Sequence, residues 1–129
     1  MDTLGRLLDA PRARGAFALR AVMQSPWSLR ILAESPLTLI AGVTGELWLA
    51  PDRGAQVRIG PGDIAVTRGP DHYNVADSPE TPPTIVVHPG QRCCDLEGNS
   101  LSEEMTHDVR TWGNHPRGDT VFLVGAYEH

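Results

Sequence analysis

Gly and Pro recur along this chain so often that little but short strands fits between them. They make up 24 of the 129 residues, about 19% against roughly 12% in average proteins. The runs between them alternate apolar and polar residues with a period of two, as half-buried strands do. Phe17, Leu19, Ala21 and Met23 alternate with Ala18, Arg20 and Val22, and Ser25-Pro26 ends that run. Further strands are predicted at 28–33, 37–43, 46–50, 56–59, 63–67, 73–76, 84–88, 109–112 and 120–127. Within 56–59, Val57 and Ile59 are expected inward and Gln56 and Arg58 outward. Thr44-Gly45 reads as a tight hairpin turn, and Pro61-Gly62 as a type II turn whose Gly supplies the positive φ. Regular short strands with turn signals predict an all-β sandwich or barrel in one domain.

The charge pattern removes several chemistries. The chain carries 16 acids and 11 bases, a formal net charge of −5, and every base is Arg. Without Lys there is no Schiff base, no phosphate-loop Lys and no Lys general base. A net acidic chain with no basic run is a poor surface for tracking phosphates, so contact with DNA or RNA is not expected from these residues. The longest apolar window, 37–49, is broken by Gly42, Thr44, Gly45 and Glu46, and falls short of the ~20 residues that span a bilayer. No apolar leader follows the N-terminus. Adjacent Cys93 and Cys94 are expected as free thiols, since bridging neighbours requires a strained ring. Together these features predict a cytoplasmic location and no membrane partner.

The rest of the chain is predicted as follows. Residues 3–10 read as a short helix capped by Asp2 or Thr3 and ended by Pro11, giving an N-terminal segment 1–15 ahead of a β domain 16–129. Residues 77–83 form a Pro-rich loop. Residues 89–106 show no strand period and read as a long loop with one helical turn near 102–104; such loops are often functional. The last strand, 120–127, is apolar on both faces, so its outer face needs a cover. The N-terminal helix, a further C-terminal segment or a second subunit would each serve.

The stretch 45–73, GELWLAPDRGAQVRIGPGDIAVTRGPDHY, resembles the core of the cupin family. That resemblance implies a double-stranded β-helix, or jelly-roll barrel. Many cupins hold a metal inside the barrel with three His and one Glu. Here the first motif region, PWSLRILAESPLTLIAGVTG, contains no His, and the position expected for the Glu falls near Thr38. The position expected for the second-motif His, eleven residues after Gly62, is Tyr73. His72 lies one residue early, which on a strand means the opposite face. The usual metal site, and with it the usual enzymatic activity, is therefore not expected.

The segments DTLGRLLDAPRARGAF, SPWSLRI, GPGDIAVTRGPDHYNVAD, HPGQRC and RTWGN are, more narrowly, similar to the N-terminal cupin-type sensor domain of AraC-type transcription regulators. The resemblance implies a non-enzymatic domain that binds a small-molecule effector and forms a homodimer. DNA would be bound by a separate C-terminal helix-turn-helix domain not contained in these residues, which makes this chain a sensor fragment. No cofactor is expected. Candidate ligand contacts are Thr38, Ile40, Trp48, His72, Tyr73, His88, Arg110 and Trp112. Trp112 and Arg110 are predicted on one strand face, where ring and guanidinium could hold an anionic or aromatic ligand. Each of these side chains also has a plain structural reading, core for the rings and exposed or backbone-bonded for the His residues. Loop 89–106 or the N-terminal segment is the expected responsive element. The alternative is a small metal-dependent cupin enzyme or metal sensor using His72, His88 and His107, with Cys93 as a further donor; the Cys and His spacings match no common zinc pattern.

Overall fold

The alternating runs pair into two six-stranded sheets that face each other across an apolar interior. The structure is a computed structural model and describes residues 16–90, 92–108 and 110–127. The predicted helix at 3–10 and the segment 1–15 lie outside the described residues. The strands are β1 (Ala16–Met23), β2 (Ser28–Ile31), β3 (Leu37–Thr44), β4 (Leu47–Pro51), β5 (Val57–Ile59) and β6 (Ile64–Arg68). Then follow β7 (Tyr73–Ala76), β8 (Ile85–His88), β9 (Arg92–Asp95), β10 (Thr106–Asp108), β11 (Thr111–Trp112) and β12 (Thr120–Tyr127). One helical turn, α1 (Ser102–Met105), precedes β10 and buries Met105.

The first sheet has the order β10-β11-β1-β12-β3-β6 and the second β5-β4-β7-β2-β8-β9. Most neighbours are antiparallel; β1–β11 and β2–β8 are parallel. β3 and β4, like β5 and β6, belong to different sheets, so the chain crosses between sheets there, while β4–β5 and β8–β9 fold back as antiparallel hairpins. This is the double-stranded β-helix expected from the sequence.

Two expectations change. Thr44-Gly45 is not a hairpin turn but the crossing from the first sheet to the second. Gly45 has a φ of 75°, and a Cβ there would lie 2.6 Å from the Asp119 carbonyl oxygen, so the crossing needs Gly on two counts. Pro61-Gly62 does turn with a positive φ, 88° at Gly62, yet it too joins strands of different sheets. Residues 89–106 are also not one long loop. β9 pairs antiparallel with β8, Val87 opposite Cys93, and α1 and β10 follow, so about half of the expected responsive loop is regular structure.

Strand parity decides which side chains enter the interior. The second sheet sends in Leu29, Ile31, Leu47, Leu49, Ile59, Tyr73, Val75, Ile85 and Val87. The first sends in Leu19, Ala21, Met23, Thr38, Ile40 and Phe122, with Val124 packed against them. At one end the filling is dense: Trp27 stacks on Phe122 with ring centroids 5.6 Å apart and planes inclined by 17°, beside fully buried Met23, Leu47 and Ile59. Val57, expected inward with Ile59, lies near the edge of its sheet and is 45% exposed.

Candidate ligand cavity

At the opposite end the two sheets do not fill the space between them. An apolar cavity of about 120 Å³ remains, walled by Leu19, Ala21, Leu29, Ile31, Val87 and Phe122, among others. Its size follows from small residues where the dense end has large ones: Ala33, Gly69, Thr67 and Ala126 all line it.

Two segments form its mouth. Residues 33–35 join β2 to β3, and 69–72 join β6 to β7. They are clamped together. The Gly69 N–H donates to the Pro36 carbonyl at 3.2 Å, and His72 Nε2 lies 2.8 Å from Glu34 Oε2. A Cβ on Gly69 would stand 2.4 Å from the Ser35 carbonyl oxygen, so this close approach requires Gly. Glu34 adopts φ 60°, the left-handed region that L side chains enter at a cost of roughly 1–2 kcal/mol. That twist sits where the Glu34 side chain joins the cavity lining.

The polar groups gather at the mouth. Glu34, Ser35, Thr38, Thr67, Asp71 and Tyr73 all line the cavity. Thr38 and Tyr73 are only 6% and 7% exposed and bring their hydroxyls to the cavity lining. Asp71 is exposed and has no ion-pair partner among the described residues. Behind the mouth segment, Arg30 holds Asp52 by two bonds of 2.6 and 2.8 Å, and the Asp52 N–H donates to the His72 carbonyl at 3.1 Å. The hydrogen bond from Arg30 keeps the Asp52 carboxyl below the ordinary carboxylate range.

On the β9 side the wall is Cys93, 8% exposed. Burial pushes its thiol pKa up to about 11, the neighbouring Cys94 adds to the rise, and a hydrogen bond with Trp112 opposes it. Both cysteines are free. A thiol that stays protonated at neutral pH is a poor nucleophile, so Cys93 acts here as apolar wall.

Of the sequence-predicted contacts, Thr38, Tyr73 and Trp112 line the cavity. His72 stands at its rim through Glu34. Ile40 is buried in the core, outside the lining. Trp48 lies between inward-facing Leu47 and Leu49, so parity turns it to the outer face of the second sheet. His88 follows inward-facing Val87 and is turned outward for the same reason. Arg110 precedes β11 in a turn, is exposed and does not line the cavity. Glu34, Thr67, Asp71 and Cys93 line the cavity and were not anticipated as ligand contacts.

A metal of the kind many cupins hold does not fit these residues. Among the described residues no group of three His, Cys, Asp or Glu side chains could hold an ion. His72 is engaged with Glu34, His88 faces outward, and His107 Nε2 lies 2.9 Å from the Gly113 carbonyl. Thr38 and Tyr73, at the positions expected for the ligating Glu and His, put hydroxyls there instead.

No helix among the described residues is long and apolar enough to cross a membrane. Among solved structures, the chain is similar to a protein of unknown function from Rhizobium leguminosarum bv. viciae 3841, at 12% identity and a TM-score of 0.43. The match covers 81% of this chain and 62% of that one. It is also similar to an uncharacterized conserved protein with a double-stranded beta-helix domain from Klebsiella pneumoniae subsp. pneumoniae MGH 78578, at 10% identity and a TM-score of 0.42, covering 88% of this chain and 65% of that one. The chain thus spans less than two thirds of the length of either structure. No curated protein matches it. The cupin family matches residues 2–129, and with nearly the whole sequence covered the chain belongs to the cupin family.

Proposed function

We propose that this cupin domain is the effector-sensing and dimerisation unit of an AraC-type transcription regulator, without enzymatic activity of its own. DNA contact is assigned to a separate helix-turn-helix domain. The observation that carries the reading is the cavity: an apolar chamber with the Thr38 and Tyr73 hydroxyls at its mouth, where metal-ligating side chains would otherwise stand. Apolar walls with a few convergent polar groups are the usual make-up of a small-molecule site. Dimerisation is supported by the outer face of the first sheet, where Ile64 and Val66 are 62% and 53% exposed and Tyr127 lies on the same side. An apolar surface of this kind favours a protein partner.

The test is a thermal-shift screen of small metabolites on the wild type and on Ala126→Phe, which fills the chamber from β12. A ligand at 100 times its dissociation constant adds about 2.7 kcal/mol to the wild type and nothing to the filled variant. Sedimentation of the same samples is expected to show a dimer. If no compound shifts the wild type, or the variant responds equally, the sensor reading fails.

A further inference from the structure

The chamber and its rim differ in chemistry, and that difference selects a class of ligand. The floor is hydrocarbon: Ala21, Leu29, Phe122 and Val124. The rim combines two carboxylates with hydroxyls that can donate or accept. Glu34 and Asp71 bring carboxylates, and Thr38, Thr67 and Tyr73 bring hydroxyl oxygens. No Arg among the described residues lines the cavity, and the chain has no Lys. Arg30 is bound to Asp52 and Asn74 behind the mouth, His72 Nε2 bonds Glu34, and Arg68, before Gly69, is exposed and outside the lining. Asp71 has no ion-pair partner among the described residues and lines the same cavity as the hydroxyls of Thr38 and Tyr73.

A ligand head that suits this rim donates several hydrogen bonds and carries positive charge. A protonated amine does both, with three N–H donors in a compact head. A carboxylate or phosphate could accept from the hydroxyls but would face the like charges of Glu34 and Asp71. A neutral alcohol would satisfy one acceptor and leave the others as they are. The chamber volume of about 120 Å³ is close to that of apolar cavities that take one benzene ring, about 150 Å³. We infer that the ligand of this site is a small primary amine with an apolar body of about six carbons, its ammonium held at the rim by Asp71 and Glu34 and its body in the chamber. This deepens the sensor reading and rests on it, since it specifies the effector's head group.

Three probes share one ring and differ in the head: benzylamine, benzyl alcohol and benzoate. Titration calorimetry on the intact chain is expected to give benzylamine an affinity about tenfold above that of benzyl alcohol, and to show no binding of benzoate. Asp71→Asn, at an exposed position without structural bonds among the described residues, is expected to remove about that tenfold for benzylamine and leave benzyl alcohol unchanged. If benzyl alcohol or benzoate binds as tightly as benzylamine, or Asp71→Asn weakens all probes alike, the amine inference is overturned while the cavity reading stands. If none of the three binds, the cavity reading falls with it.

Discussion

The two ends of the barrel are built from the same strands and filled in opposite ways. On β1, Met23 closes one end while Leu19 and Ala21 line the chamber; on β12, Phe122 lies between the two and Ala126 stands at the mouth. The closed end is held by packing, with Trp27 stacked on Phe122. The open end is held by polar bonds at its rim: Glu34 to His72, Pro36 to Gly69, and the Arg30–Asp52 pair behind them. The difference teaches that the chamber is not a packing defect spread through the core. The volume is withheld at one end, and the stability of the domain is concentrated at the other.

The largest effect tests the closed end. Trp27→Ala removes a side chain 2% exposed and breaks the stack on Phe122. The indole N–H has no partner in its buried position, which offsets part of the gain from packing. The lost area and the cavity left behind dominate, and the expected loss is about 3–5 kcal/mol in urea unfolding. A loss below ~1 kcal/mol would mean that the closed end is not the anchor of the fold.

Next in size is an alkaline effect from the chamber wall. The Cys93 thiol is raised to about 11 in the folded chain, against 9.0 for an unperturbed one. Between those values the unfolded chain releases its proton while the folded one keeps it, so stability is complete below pH ~9 and falls as pH rises through about 11. Denaturant melts across pH 8 to 11 are expected to show this decline and Cys93→Ala to flatten it. Thiolate absorbance near 240 nm reads the same titration directly. An ordinary thiol titration would place Cys93 in water and the chamber wall elsewhere.

Sequence reading reached the fold further than the site. β7 and β12 were predicted to the residue, because each carries apolar residues on both sides of a sheet and ends at clear polar or Pro-rich stretches. β9 was missed because Arg-Cys-Cys-Asp has no alternation: Cys93 faces in and Cys94 out, and both are buried. Its strand character comes from pairing with β8, which no local pattern encodes. For the site, Thr38 and Tyr73, taken from the family's ligand positions, and Trp112, taken for its ring, line the cavity. Trp48 and His88 were misassigned where uninterrupted apolar runs, Leu47-Trp48-Leu49 and Ile85-Val86-Val87, hide the parity of the strand. Glu34 and Asp71 gave no signal, because charged residues in loops beside Pro are ordinarily solvated, and only the clamp between the two segments brings them to one rim.

The smallest effect probes the open end alone. The Asp52 carboxyl is held below its ordinary 3.8 by the hydrogen bond from Arg30. A depressed carboxyl contributes stability above its unfolded value, and that contribution is lost as pH falls through the folded one. The pair is exposed and its worth to global stability is small, but Asp52 also bonds the backbone at His72, directly behind the mouth. Acid is therefore expected to loosen the rim before the core. Hydrogen exchange followed from pH 6 down to 3, with intrinsic rates divided out, should show protection falling first at 69–73, while amides near Trp27 and Phe122 hold. Asp52→Asn should show that loosened rim already at pH 6. Uniform loss across both ends would mean that rim and core open as one unit, and the division of labour between a packed end and a polar-clamped end would not survive it.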